Sequence, residues 1–444
     1  MATIFTKNIL QRLGRNLRDS ENPSLENIAL LQEYRLSHKD IVKNVFDIIC
    51  NEAHAINEEA ICTFRIKRID SIIRKLQRLK GRLELKSMRD IAGCRCIMQS
   101  DAEVFKLMNN LKHTLLQLVQ EPNIYMGKRR KDTGYGSIHL YVTLPAYEKL
   151  CVEIQIRTEE QHDWATFVET IDLLYDTKLK EGINTTTEEQ YNDFYRMHQI
   201  LSKQNTYRDK NENKELIRVV IKYNLLEKLD TVLVSNVATV RHQWAKMMSE
   251  IEYPQYFYIG TNEENQPTVS AYTSYSEAEQ YYYESFEKSY NKNQVIVCVM
   301  NPSYNRICTA YSNYMLVCHK FSHRIHKLFT DAMDANIGDE IIFNIAYYYR
   351  GIVRRLSKHI DIEMHEIENA QNVYNDKVIQ EWIRDVDDNL KQYQTDIFNF
   401  SLVASKLLYL LNSNPIVKII KLVVYKIIVY IKPDYFIKKI VRHL

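Results

Sequence analysis

At 444 residues with 45% hydrophobic content, the chain is long enough for roughly two or three domains with real cores. Lys and Arg number 59 against 56 Asp and Glu, and the net charge of +3 gives no global mandate for nucleic-acid or membrane binding. The 8 cysteines are scattered without a CxxC pair, and MATIFTKNILQRLGRN lacks the apolar core of a secretory signal, so a reduced cytoplasmic setting fits.

Residues 22–60 carry helical periodicity and predict a leading helical segment. A helix is expected from Phe64 to Leu79, then a strand over 90–98, a helix over 101–119, strands near 136–143 and 151–157, and a long helix over about 159–179. Residues 181–192 read as a polar loop entering a further helix that ends near 205. Beyond a boundary near 210, strands are expected at 217–223, 256–260 and 294–300, alternating with helices at 276–290 and 315–333. After 340 the chain reads as helical. Its most apolar stretch, 414–433, is interrupted by Lys418, Lys421 and Lys426, which argues against a membrane span. With Lys432 these lysines share one helical sector, so an interfacial membrane helix is the alternative to a packed core element, which is preferred.

Chemistry concentrates in the first half. Over 65–82, Ile69, Ile72, Ile73, Leu76 and Leu79 fall on one helical face and Arg68, Ser71, Lys75, Arg78 and Arg82 on the other, which can hold anions or simply face solvent. In CVEIQIRT, alternation sends Glu153, Gln155 and Arg157 to one side of a strand and Val152, Ile154 and Ile156 to the other. GYGSIHLYV repeats the pattern with Tyr135, Ser137, His139 and Tyr141 opposed to Ile138, Leu140 and Val142. Thr158 and Gln161 read as a capping box, followed by an apolar stripe of Trp164, Phe167, Val168, Ile171 and Tyr175, with His162 and Glu169 on the other side. Cys298, Cys308 and Cys318 with His319, His323 and His326 hold zinc-ligand residue types, but their spacing matches no common zinc pattern, and buried thiols with surface histidines are the preferred reading.

Four motifs occur in order: R-x-K-x-x-x-S-I-x-x-K-L-x-R at 65–78, D-x-x-G-x-R at 90–95, G-Y-x-S-x-H at 134–139, and V-E-I-Q-I-R-T with H-x-W-A at 152–165. Together they resemble the synthetase domain of the RelA/SpoT family over about residues 40–205. The resemblance implies a nucleotide pyrophosphokinase moving pyrophosphate from ATP to a ribose 3′-hydroxyl, with its chemistry between Arg65 and Glu169. It implies that Arg65 and Arg95 clasp adenine, that Lys67, Lys75 and Arg78 hold the phosphates, and that Ser71 belongs to the ATP site. Asp90 and Glu153 would be catalytic and would hold Mg²⁺, with Glu153 the base for the acceptor hydroxyl. Lys131, Tyr135, His139, Gln155, Arg157 and His162 would bind the acceptor, with Tyr135 stacking on its base.

The match departs from the family where Arg130 replaces a proline, the preceding spacer is one residue longer, and Thr170 follows Glu169. The 64 residues ahead of the match are too few for the hydrolase domain of bifunctional members. Residues 294–320 resemble a segment of some long synthetase-only relatives, with no function attached to it. The resulting expectation is an α/β (α+β) synthetase domain with a mixed sheet flanked by helices, a smaller mixed α/β domain and a helical C-terminal tail. The divisions are a helical segment 1–60, a pyrophosphokinase domain 61–209, a mixed domain 210–335 of unknown or regulatory role, and a helical region 336–444, with the C-terminal half open to a regulatory ligand or protein. GDP or GTP is the preferred acceptor, giving a (p)ppGpp-type alarmone. The basic run Lys128–Lys131 keeps the 3′ CCA end of tRNA as the alternative, which would make a translation-inhibiting toxin. A non-catalytic nucleotide sensor is a third reading, opposed by the retention of both Asp90 and Glu153.

Overall fold

Helical spacing in the leading segment becomes three helices in the computed structural model: α1 (Lys7–Asp19), α2 (Leu25–Leu36) and α3 (Lys39–Ile56). Thr6 and Ser24 cap the first two by accepting from the amides of Ile9 and Asn27, each cap contributing about 1 kcal/mol. The structure describes residues 5–114, 118–126, 135–147, 150–179, 185–202, 209–261, 266–289, 294–315 and 361–387, with Lys391 and Thr395.

A strand then intervenes where the helix from Phe64 was expected. β1 (Ile61–Ile66) runs through Phe64 and Arg65, and α4 (Ile69–Arg78) begins only afterwards. The local reason is alternation: Cys62, Phe64 and Ile66 are buried on one face, with the Phe64 ring against Phe46 of α3. β2 (Ala92–Met98), α5 (Asp101–Thr114), β4 (Ser137–Val142), β5 (Val152–Thr158) and α6 (Glu159–Tyr175) follow largely as expected, while the short β3 (Asn123–Tyr125), which pairs with β4, was not expected. The apolar positions of β1, β2, β4 and β5 form one continuous core with α3 and α5. The opposite face is left to polar side chains.

The strands expected of a separate domain join this same sheet. β6 (Tyr256–Thr261), β7 (Pro267–Tyr272) and β8 (Val295–Val299) complete an eight-stranded sheet of order β3-β4-β5-β2-β1-β8-β6-β7. Only β2 and β5 pair parallel among the described strands. β8 is buried throughout and lies between β1 and β6, so VIVCV reads as an interior strand. α10 (Tyr275–Ser289) adds Tyr275, Ala278, Tyr282 and Phe286 to the core that holds α3, and α11 (Tyr304–Met315) follows β8.

The boundary expected near 210 therefore does not divide the sheet. One compact unit comprises Met1–Thr166 with Glu250–Met315, and the other begins at Phe167, runs to Ser249 and includes the described residues 361–387. The described residues of the second unit are largely helical. They include α7 (Glu188–Leu201), α8 (Lys210–Lys222), α9 (Leu225–Glu250) and helical stretches at 361–370 and 376–387. The strand expected at 217–223 is the end of α8: an Asp209–Glu212 capping box starts this helix, and Leu216, Ile217, Val219 and Val220 are buried by it, overriding their β propensity. Asp193 accepts from Arg218, Lys222 and Tyr223, tying α7 to α8.

Among the described residues no helix is long and apolar enough to cross a membrane, and no three or more His, Cys, Asp or Glu side chains gather as a metal-ligand cluster. Cys298 and Cys308 are buried thiols. Residues 414–433, Cys318, His319, His323 and His326 lie outside the described residues.

A chain ending at Glu250 would lack β6, β7 and β8 and expose the β1 edge from Thr63 to Arg65. It is expected to aggregate on size-exclusion chromatography, because an open apolar strand edge templates pairing between chains. A monodisperse, cooperatively melting fragment would show that these strands are dispensable.

Candidate active site

Strand register sets two rows of side chains across the polar face. One runs Tyr141, Glu153, Gly93, Arg65, and the next runs His139, Gln155, Arg95, Thr63. Carboxylate and aromatic groups thus occupy one end, and guanidinium groups the other. Gly93 lies between Glu153 and Arg65. A Cβ there would meet only Glu153 O, at 3.6 Å, so the backbone does not demand glycine and the bare position leaves the floor open.

Glu153 is bound by three donors. His139 Nδ1 and the Tyr141 hydroxyl donate to Oε1 at 3.0 Å each, and Gln155 Nε2 donates to Oε2 at 2.9 Å. Burial works to raise its pKa, but His139 and Gln155 outweigh burial and hold it below the ordinary 4.5. The other ring nitrogen of His139, Nε2, lies 2.8 Å from the Tyr135 hydroxyl, so Tyr135, His139 and Glu153 form one hydrogen-bonded chain. Tyr135 also meets Tyr125 and Trp164 edge-on, with centroids 6.1 and 6.4 Å away. Trp164, expected in the apolar stripe of α6, is half-buried against Tyr135.

Asp90, just ahead of β2, receives Lys67 Nζ at 2.8 Å and Lys75 Nζ at 2.7 Å, both on Oδ2. Burial opposes its ionisation, yet the two ammonium groups prevail and hold the carboxyl at about 2. Oδ1 is buried with no hydrogen-bond partner among the described residues. Lys67 is itself lowered by burial, partly offset by Asp90. Arg68 Nε donates to Ser71 Oγ at 3.1 Å, and Arg78 is exposed near the end of α4. Arg157 is buried on β5. Lys131, with Lys128–Arg130 and Gly134, lies outside the described residues, and Glu169 falls in the second unit.

The end of the site that carries the arginines is covered. Arg65 donates from Nη1 to the Tyr314 hydroxyl at 2.7 Å, and Arg95 Nη1 donates to the Ala310 carbonyl at 3.1 Å. The guanidinium groups of Arg65 and Arg68 lie 5.9 and 5.4 Å from the Tyr314 ring centre, and that of Arg95 lies 6.0 Å from Tyr311. His162, expected beside the acceptor, is buried and donates from Nε2 to the Thr309 carbonyl at 2.7 Å. Three expected site residues are thus engaged by α11, about which sequence reasoning assigned nothing. The available signal was the tyrosine pair three apart in AYSNY, whose partners only the β1–β8 pairing supplies.

A family model described as the region found in RelA/SpoT proteins matches residues 64–180. An uncharacterized protein of Mycobacterium tuberculosis H37Rv is 31% identical over 172 residues, covering 38% of this chain and 59% of the relative. GTP pyrophosphokinase YwaC of Bacillus subtilis is 29% identical over 151 residues, 32% of this chain and 71% of that one. The chain thus spans about three fifths of the length of the first curated relatives it matches. Among solved structures, small alarmone synthetase 1 of Bacillus subtilis bound to its product pppGpp is similar at 24% identity and a TM-score of 0.33, covering 39% of this chain and 92% of that one. Small alarmone synthetase 2 of the same organism is similar at 25% identity and a TM-score of 0.31, over 45% of this chain and 98% of that one.

Proposed function

We propose that this chain is a Mg²⁺-dependent pyrophosphokinase that transfers the β,γ-pyrophosphate of ATP to the ribose 3′-hydroxyl of GDP or GTP, and that α11 holds it in an off state. The observation that carries the reading is the two-row face, with cations at one end, a dressed carboxylate at the other and an open floor at Gly93 between them. Adenine would stack between the guanidinium planes of Arg65 and Arg95, and the triphosphate would lie along Lys67, Lys75 and Arg78. The acceptor base would stack on Tyr135, with His139 and Gln155 fixing Glu153 beside the 3′-hydroxyl. The 3′-oxygen attacks the β-phosphorus, the bond from that phosphorus to the α,β-bridging oxygen breaks, AMP leaves with the electron pair, and Glu153 takes the hydroxyl proton.

The donor set fits Mg²⁺. Among the described residues Asp90 keeps a buried carboxylate oxygen without a partner, and its charge works against ionisation of Glu153, a repulsion that a divalent cation between oxygen ligands relieves. When bound, the ion would neutralise charge on the transferring pyrophosphate, with Asp90 and Glu153 as its protein ligands.

The test uses the Tyr311→Ala, Tyr314→Ala chain with γ-labelled ATP, offering GDP, GTP and deacylated tRNA in parallel, with and without chelator. Label on GDP or GTP that disappears with chelator is expected. Label on tRNA alone would overturn the acceptor, and transfer indifferent to chelator would overturn the metal.

A further inference from the structure

We infer that Arg35 is a positioning residue for the donor site, acting through the backbone of Lys67. The inference rests on the pyrophosphokinase reading for its consequence, although the geometry stands apart from it. Arg35 lies on α2, ahead of the family-matched stretch, and is 2% exposed. Its Nε donates to the Lys67 carbonyl at 2.6 Å. Nη1 donates to the Gln32 side chain and lies 3.4 Å from Glu279 Oε2, while the guanidinium packs over the Tyr282 ring at 4.8 Å. Glu279 on α10 is 3% exposed and also accepts from Gln32 at 2.8 Å and from Tyr275 at 2.8 Å.

Burying two charges is a poor way to add stability, since a well-packed apolar pair does as well or better. The network is better explained by what its outward end touches. The turn from Lys67 to Ile69 links β1 to α4, and three bonds fix it. Arg35 holds the Lys67 carbonyl, Lys67 N–H donates to the Ile91 carbonyl at 2.7 Å, and Ile69 N–H donates to the Tyr282 hydroxyl at 3.1 Å. The same turn carries Lys67 Nζ to Asp90 and sets Arg68 at the start of α4. Arg35 and Tyr282 therefore fix the side of the turn facing away from the phosphates, and α10 contributes to the donor site without touching a nucleotide. A planar fork is required, because Nε and Nη1 serve groups in different directions, which a lysine cannot do.

The experiment compares Arg35→Met with Glu279→Gln as a double variant, and Arg35→Lys singly, each in the full chain carrying Tyr311→Ala and Tyr314→Ala. The double variant leaves no buried charge unpaired and is expected to melt within a few degrees of its parent. Amide hydrogen exchange at Lys67, Arg68 and Ile69 in nucleotide-free protein should accelerate at least about tenfold, with β4 and β5 unchanged. The KM for ATP should rise about tenfold while the KM for GDP stays constant, a split that general loosening would not give. Unchanged exchange at the turn in either folded variant, or equal rises in both KM values, would overturn the inference. If the parent shows no transfer at all, the pyrophosphokinase reading fails, and exchange at the turn alone decides whether Arg35 braces it.

Discussion

Replacing Tyr311 and Tyr314 with alanine is expected to raise ATP affinity on the order of 100-fold and to raise transfer at low ATP by a similar factor. Three ring contacts to guanidinium groups at about 0.5–1 kcal/mol each, with one hydrogen bond at about 1 kcal/mol, sum to roughly 3 kcal/mol favouring the covered state. A tethered helix needs no encounter from solution, so ATP binds only the fraction of molecules in which α11 has left, and its apparent affinity falls by that fraction. Titration calorimetry with α,β-methylene-ATP reads the change directly. Tyr314→Phe removes only the hydroxyl that accepts from Arg65 and should give a few-fold gain at most. Tyr311 is buried, so its replacement costs stability, and a melting curve must accompany each variant. A folded double variant that binds the analogue no better than the parent would remove α11 from control of the site.

Glu153→Gln is expected to lower turnover by at least about 10³-fold while changing affinity for the ATP analogue less than about threefold. The amide keeps the shape but presents N–H groups to donors, since His139, Tyr141 and Gln155 all donate to this carboxylate. The contacts expected for ATP lie on β1, β2 and α4 and are unaffected. The sign of the pH response follows from the lowered pKa. A depressed carboxylate is ionised above its folded pKa, so proton acceptance by Glu153 persists through neutral pH and is lost only as pH falls through a value below 4.5. Asp90 behaves likewise: the stability its lysine pairs contribute is complete above the unfolded value of about 3.8 and is lost as pH falls toward about 2. An acid limb of turnover centred near pH 7 would assign the base to another group. Turnover within tenfold of the parent in Glu153→Gln would remove that residue from proton transfer altogether.

How much of this was legible follows the range over which each signal acts. Alternation in CVEIQIRT and GYGSIHLYV is local, and it placed Glu153, Gln155, His139 and Tyr141 on one face, where the register then brought them together. The helix expected from Phe64 was misplaced at its start because Arg65 and Lys67 extend a basic pattern backward from α4, while the pairing that makes 61–66 a strand comes from residues 92–97 and 297–299. The strand expected at 217–223 failed for the opposite reason, since β-branched residues there are buried by a capped helix. The boundary expected near 210 falls inside the second unit, which begins at Phe167 and runs to Ser249, and no local feature announces that 256–299 returns to the first sheet. The contacts of Tyr311 and Tyr314 were invisible on the same ground, since they depend on β8 lying beside β1.

The order of the elements along the chain also sets an order in time. Arg65 and Arg95 are synthesised before Tyr304, where α11 begins, and at about 5–20 residues per second the interval from residue 95 to residue 304 is roughly 10–40 s. Throughout it, β1 has no β8 beside it and Arg65 and Arg95 have no helix over them. The nascent chain thus passes through a stage in which the covering element does not yet exist. Its safeguard in that interval is incompleteness: Tyr282, which holds the Ile69 amide, and Glu279, which pairs with Arg35, arrive only some 20–30 residues before α11. Completion of the Lys67–Ile69 turn and arrival of α11 are thereby placed within about 1–6 s of each other on the ribosome.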